Sequence, residues 1–128
     1  MAWHDHAYEW VGDWSRRRAS LSPDRTAVVD ATTDESFTYA DLDDRANRCA
    51  RLLRDRGVAA GDRVALVSRN RVEAFDCFFA TGKLGAVLAP LSHRLAPPEL
   101  GELLDLVAPT VLVVEDAVAD AVTPALDH

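Results

Sequence analysis

Three short apolar runs, RVALVS at 63–68, AVLAPL at 86–91 and TVLVVE at 110–115, alternate with segments of helical spacing. No other feature of the chain constrains the fold as much. Each run has the length of a strand, and its near-continuous apolar character marks burial on both faces. Helices between successive strands, joined by short connections, call for parallel strands with right-handed crossovers. The expected fold class is therefore α/β: a mostly parallel sheet with flanking helices.

The punctuation between the runs agrees with this reading. A helix from about Val72 to Leu84 carries Phe75, Phe78 and Phe79, and Gly85 ends it. Pro97-Pro98-Glu99 opens the next helix, proline being tolerated in a first turn. That helix presents Leu100, Leu103, Leu104 and Val107, and Pro109 stops it. After Glu115 a weak Ala/Val helix reaches toward Thr123.

Upstream, TAVVD at 26–30 reads as a strand, ATTDES as a polar turn and Phe37–Tyr39 as the return strand. Thr38-x-x-Asp41 approximates a capping box with Asp in place of Glu. The helix that follows, from about Ala40 to Arg56, is expected to bury Leu42, Ala46, Cys49 and Leu53. Arg45, Arg48, Arg51 and Arg54 then form a solvated side, paired locally with Asp41 and Asp44. Gly57 is placed to end the helix in left-handed geometry. Near the start, Trp3, Ala7, Trp10 and Trp14 recur at helical spacing, a stripe suited to docking on something larger.

At 128 residues there is room for one domain and one core, and an apolar fraction of 48% makes wholesale disorder unexpected. No apolar run approaches a membrane span. The N-terminus lacks a basic flank followed by an apolar run, so no secretory signal is read and a cytoplasmic location is expected. A net charge of −7 argues against nucleic acid as a partner. Fifteen of the 21 acids are Asp, and Lys83 is the single lysine, a pattern that fits either salt adaptation or a GC-rich genome.

The search for chemistry returns little. GKLG at 82–85 has Cys77 where a Walker loop needs its first glycine and Leu84 where it needs Ser or Thr. There is no Gly-x-Gly-x-x-Gly dinucleotide fingerprint and no Gly-x-Ser-x-Gly elbow. His4-Asp5-His6 has no third ligand, so no metal site is expected there. His93 follows a strand end without a partner. Asn70, also past a strand end, is expected to cap the next helix. Cys49 and Cys77 form no CxxC pair and read as two small buried apolar residues. No catalytic, cofactor-binding or metal residue is assigned.

The segment from Phe37 to Leu95 nevertheless resembles the opening of the adenylate-forming (AMP-binding) enzymes: acyl-CoA synthetases, peptide-synthetase adenylation domains and luciferases. FTYADL at 37–42 looks like that family's Leu-Thr-Tyr-x-Glu-Leu motif, with Asp41 replacing Glu. RGVAAGDRVAL at 56–66 is similar to its Gly-Val-x-x-Gly-Asp-x-Val strand entry. TGKLGAVLAPL at 81–91 resembles Leu-Lys-Ala-Gly-x-x-x-x-Pro-Leu, with Gly82 and Leu84 departing. Arg94-Leu95 with Glu99-Leu100 follows the family's spacing, although Ser92 stands where Asn is common.

The resemblance covers about Ala19 to Asp116 and implies scaffold more than chemistry. In the family the phosphate loop, the ribose-binding Asp and the catalytic Lys come later in the chain. The expectation is that residues 1–128 are the N-terminal portion of an AMP-binding domain, truncated before the phosphate-binding loop. The full enzyme implied is an AMP-forming acid:CoA ligase using ATP, Mg and CoA on a small carboxylic acid. The fragment alone is expected to be inactive, to bind none of these cofactors and to be marginally stable without the remainder of its own domain. VSRNRVEAF resembles the acyl-CoA type of opening, which favours that reading over a peptide-synthetase domain. The rival readings are a non-catalytic α/β binding or interaction module and an unrelated small regulatory α/β domain.

Overall fold

The structure is a computed structural model and describes residues 12–127. Trp3, Ala7, Trp10 and the His4-Asp5-His6 triplet lie outside the described residues. Trp14 is the one member of that stripe among the described residues. It opens α1 (Trp14–Leu21), whose first turn is capped by the Asp13 carboxylate accepting from the Arg16 amide.

β1 (Thr26–Val29) and β2 (Ser36–Thr38) form a separate antiparallel hairpin. α2 (Tyr39–Asp55) starts at the capping box read from the sequence: Thr38 Oγ1 accepts from the Asp41 amide, and the Asp41 carboxylate accepts from the Thr38 amide. Those two bonds hold the Asp41 carboxyl below its usual range. α2 buries Leu42, Ala46, Ala50 and Leu53, whereas Cys49, expected in that row, is only half-buried.

β3 (Arg63–Val67), α3 (Val72–Leu84), β4 (Val87–Leu91), α4 (Pro97–Val107) and β5 (Val111–Val114) follow the expected alternation. The strands pair in parallel in the order β4-β3-β5, with Val64 opposite Leu88 on one side and Val111 on the other. Only β3, at the centre, is buried along Val64–Val67; β4 and β5 are edges and are half-covered at most positions. Pro90 sits on the β4 edge, where a missing N–H breaks no ladder bond toward a neighbour.

Alternate residues of β3 feed two cores. Val64 packs with Ala50, Leu53, Val58 and Ala80 under α2 and α3. Ala65 and Val67 pack with Leu100, Leu104, Val122 and Ala125 under α4 and the C-terminal turns. Burying a side chain of this size stabilises by about 1.5–3 kcal/mol. Thr81 and Gly82 bring α3 close to the chain before α1. A Cβ at Gly82 would stand 2.8 Å from the Gly12 carbonyl oxygen, which accounts for glycine where the family motif carries Leu. Gly85 ends α3 at φ 69°, a conformation that side-chain-bearing residues disfavour.

The weak C-terminal helix exists as one turn, Ala119–Val122 (α5), between two 3₁₀ turns. Asn70 does not cap α3. The N-cap position is Arg71, and no side chain bonds the first-turn amides there.

Candidate functional site

In an open parallel sheet, ligands bind beyond the carboxyl ends of the strands. Here that rim is built from Ser68–Arg71 after β3, Ser92–Arg94 after β4 and Glu115 after β5. Register creates its centre. Val67 pairs with Val114, and the Glu115 amide donates to the Val67 carbonyl, so the Glu115 carboxylate meets the β3–α3 turn.

Glu115 is the hub of the rim, its side chain only 5% exposed. It accepts from the Arg69 amide at 2.8 Å, from Arg69 Nη2 at 2.7 Å and from Ser68 Oγ at 3.2 Å. Arg71 reaches it at 3.4 Å and also pairs with Glu73 at 3.1 Å. The Arg69 guanidinium and amide, helped by Arg71, hold the Glu115 carboxyl down to about 2. This cluster pins the β3–α3 turn to the end of β5.

His93 lies in the turn after β4, half-buried, and no protein group hydrogen-bonds its imidazole among the described residues. Ser92 Oγ accepts from the Arg94 amide, a local turn bond. Asn70 is exposed in the β3–α3 turn. The structure therefore places Asn70 and His93 on one rim but joins them to no common acceptor or donor.

A second polar cluster lies behind the sheet. Lys83, 9% exposed, donates to Asp13 at 2.8 Å and to Asp43 at 2.6 Å. Asp43 also accepts from Ser15 Oγ at 2.8 Å, so one buried ammonium ties α1, α2 and α3 together. On the same side Arg45 forms a two-pronged bond to Asp76 of α3, at 2.9 and 2.8 Å. This corrects the expectation of local pairing along α2. Arg48 does pair locally, with Asp44 at 3.1 Å, while Asp41 is engaged in the cap.

The sequence reading missed Glu115, Lys83 and the Arg45–Asp76 bridge. Glu115 carried a usable signal: an acid closing one buried strand, with Arg-x-Arg closing the neighbour. The other two depend on helix rotation, which spacing alone leaves open.

These clusters do not fit a nucleotide or its metal. Phosphate binding needs donors that are free, and Arg69 and Arg71 are already held by Glu115 and Glu73. Among the described residues no three His, Cys, Asp or Glu side chains converge to hold a metal ion.

A family model described as AMP-binding enzyme matches residues 15–128. The chain belongs to that family. It is 46% identical over 94 residues to the long-chain-fatty-acid–CoA ligase FadD13 of Mycobacterium tuberculosis, covering 73% of this chain and 19% of that protein. It is 45% identical over 94 residues to a feruloyl-CoA synthase from an Amycolatopsis species, with the same coverage of 73% and 19%. Among solved structures, the N-terminal domain of FACL13 from Mycobacterium tuberculosis superposes with a TM-score of 0.79 at 39% identity, covering 91% of this chain and 30% of that one. The chain thus spans about a fifth of the length of these curated relatives. The structural neighbours are N-terminal domains of adenylate-forming ligases, and the α/β sheet belongs to that architecture. Among the described residues, no helix is long and apolar enough to cross a membrane.

Proposed function

We propose that residues 1–128 are the N-terminal portion of the AMP-binding domain of an acid:CoA ligase. The whole enzyme would join a carboxylate to ATP as an acyl-adenylate and pass the acyl group to the CoA thiol. The observation that carries this is the family match over 15–128 together with relatives that are CoA ligases. Those two relatives act, by name, on a fatty acid and on an aromatic acid, so the acid is assigned no further than a carboxylate.

Within that enzyme the segment acts as scaffold. Charge stabilisation of a transferring group requires placed donors, and Arg69 and Arg71 of this rim are held by Glu115 and Glu73. The chain by itself should be inactive, should leave ATP, Mg and CoA unbound and should act in the cytoplasm only as part of the larger domain. Exposed apolar side chains support the need for a covering remainder: Trp14 is 56% exposed, Phe78 53% and Val87, on the β4 edge, 52%.

The test is acid-dependent ATP–pyrophosphate exchange with a panel of fatty and aromatic carboxylates. The chain alone should give background rates. The same chain joined to the polypeptide encoded downstream of His128 should exchange. Turnover by the chain alone, or a downstream frame without a Gly-rich phosphate loop, overturns the proposal.

A further inference from the structure

Cys49 and Cys77 are the only cysteines of the sequence, and the fold brings them together from α2 and α3. Both line a crevice of about 360 Å³ between these helices, flanked by Arg45 and Arg48 from α2 and by Glu73 and Asp76 from α3. Their exposures differ. Cys77 is buried, at 3%, while Cys49 is half-buried and opens onto the crevice. The Cys77 thiol stabilises a thiolate at Cys49 and so lowers the Cys49 titration, against opposing effects of burial and of Asp76. The same interaction, with burial, pushes the Cys77 thiol up. The flanking arginines add little, because Arg45 is held by Asp76 and Arg48 by Asp44.

A partly exposed thiol that opens onto a crevice, backed by a buried thiol from the neighbouring helix, is the placement of an attacking and a resolving cysteine. We propose that Cys49 and Cys77 form a peroxide-oxidisable dithiol that closes to an intramolecular disulfide joining α2 to α3.

The chemistry balances with one hydroperoxide as oxidant. The Cys49 thiolate attacks a peroxide oxygen, the O–O bond breaks, and the departing oxygen takes up the proton that Cys49 released. Cys49 is then a sulfenic acid. The Cys77 sulfur attacks the Cys49 sulfur, an S–S bond forms and the S–O bond breaks. The hydroxide that leaves accepts the Cys77 proton as water. The dithiol loses two electrons and two protons, and hydrogen peroxide is reduced to two waters. The inference is independent of the proposed ligase role.

The test treats the reduced chain with a small excess of hydrogen peroxide, quenches with iodoacetamide and maps the peptides by mass spectrometry. The expected product is a monomer with one Cys49–Cys77 cross-linked peptide, reopened by dithiothreitol. In Cys77→Ser, dimedone labelling of Cys49 should rise several-fold, and Cys49 alkylation should shift to higher pH. Sulfinic acid at Cys49 beside a free Cys77, a disulfide between chains, or unreacted thiols in the wild-type chain would each overturn the proposal. The wild-type peptide map decides the matter even if Cys77→Ser fails to fold.

Discussion

The two faces of the sheet are sealed by different physics. Under α4, Leu100, Leu104, Val122 and Ala125 meet Ala65 and Val67, and no ion pair joins α4 to the sheet among the described residues. Its one long-range polar tie runs from the Arg63 guanidinium to the Val107 carbonyl, at the end of the helix where a cation is favoured. Over the other face, α2 and α3 bury Ala50, Leu53 and Ala80, and they are also bolted by Lys83 with Asp13 and Asp43 and by Arg45 with Asp76. One face is held by apolar contact, which has no preferred direction. The other adds charged bonds that fix the rotation and register of three helices. This difference gives each face its own response to mutation, salt and acid.

The largest effect should come from the apolar face. Leu100 is 1% exposed, and Leu100→Ala should lower unfolding free energy by about 3 kcal/mol, equally at low and high salt. Urea unfolding of the two proteins measures it. A loss below about 1 kcal/mol would mean that α4 unfolds apart from the rest of the sheet.

Lys83→Met should come next, at about 2 kcal/mol, because it leaves Asp43 and Asp13 facing one another without their cation. The figure is below that of a fully buried pair because Asp13 is 39% exposed. Adding Asp43→Asn to Lys83→Met should recover part of the loss. If the double variant is no more stable than the single, the cluster is held by packing of the lysine stem instead.

Acid should act on the rim between the faces. Glu115 titrates near 2 in the folded chain against an ordinary value of 4.5, so the folded state favours its charged form. The stability this contributes is fully present above about 4.5 and is lost as pH falls toward about 2. Glu115→Gln should therefore flatten the acid limb of the stability–pH curve and leave its shape unchanged above about pH 5.5, roughly a unit clear of the titration. A steeper acid limb in the variant would sink this assignment.

The contrast between the faces also explains what the sequence disclosed. Elements set by local rules were legible: Thr38 and Asp41 closed the expected box, Gly85 stopped α3, and the three apolar runs paired in parallel. The apolar face was legible too, since Leu100 and Leu104 lie at helical spacing whatever they meet. The charged face was hidden. Arg45 and Arg48 look alike in one row of arginines, and only the approach of Asp76 from α3 separates them. Lys83 and Cys49 were obscure for the same reason, because their partners are brought by tertiary packing. Arg69 and Arg71 were hidden in the same way, since Glu115 reaches them only through the pairing of β5 with β3.

The smallest predicted effects test that separation directly. Arg45 is 25% exposed and its partner Asp76 13%, the bond is two-pronged, and the guanidinium lies 5.1 Å over the Phe37 ring. Arg45→Ala should cost about 1 kcal/mol and part of that cost should vanish in high salt. Arg48 and Asp44 are 63% and 69% exposed, a helix-surface pair, so Arg48→Ala should change stability by no more than about 0.5 kcal/mol. Urea midpoints at two ionic strengths compare the two variants. Equal losses would place the worth of both arginines in the helix itself and remove the Arg45–Asp76 bridge as a bolt between α2 and α3.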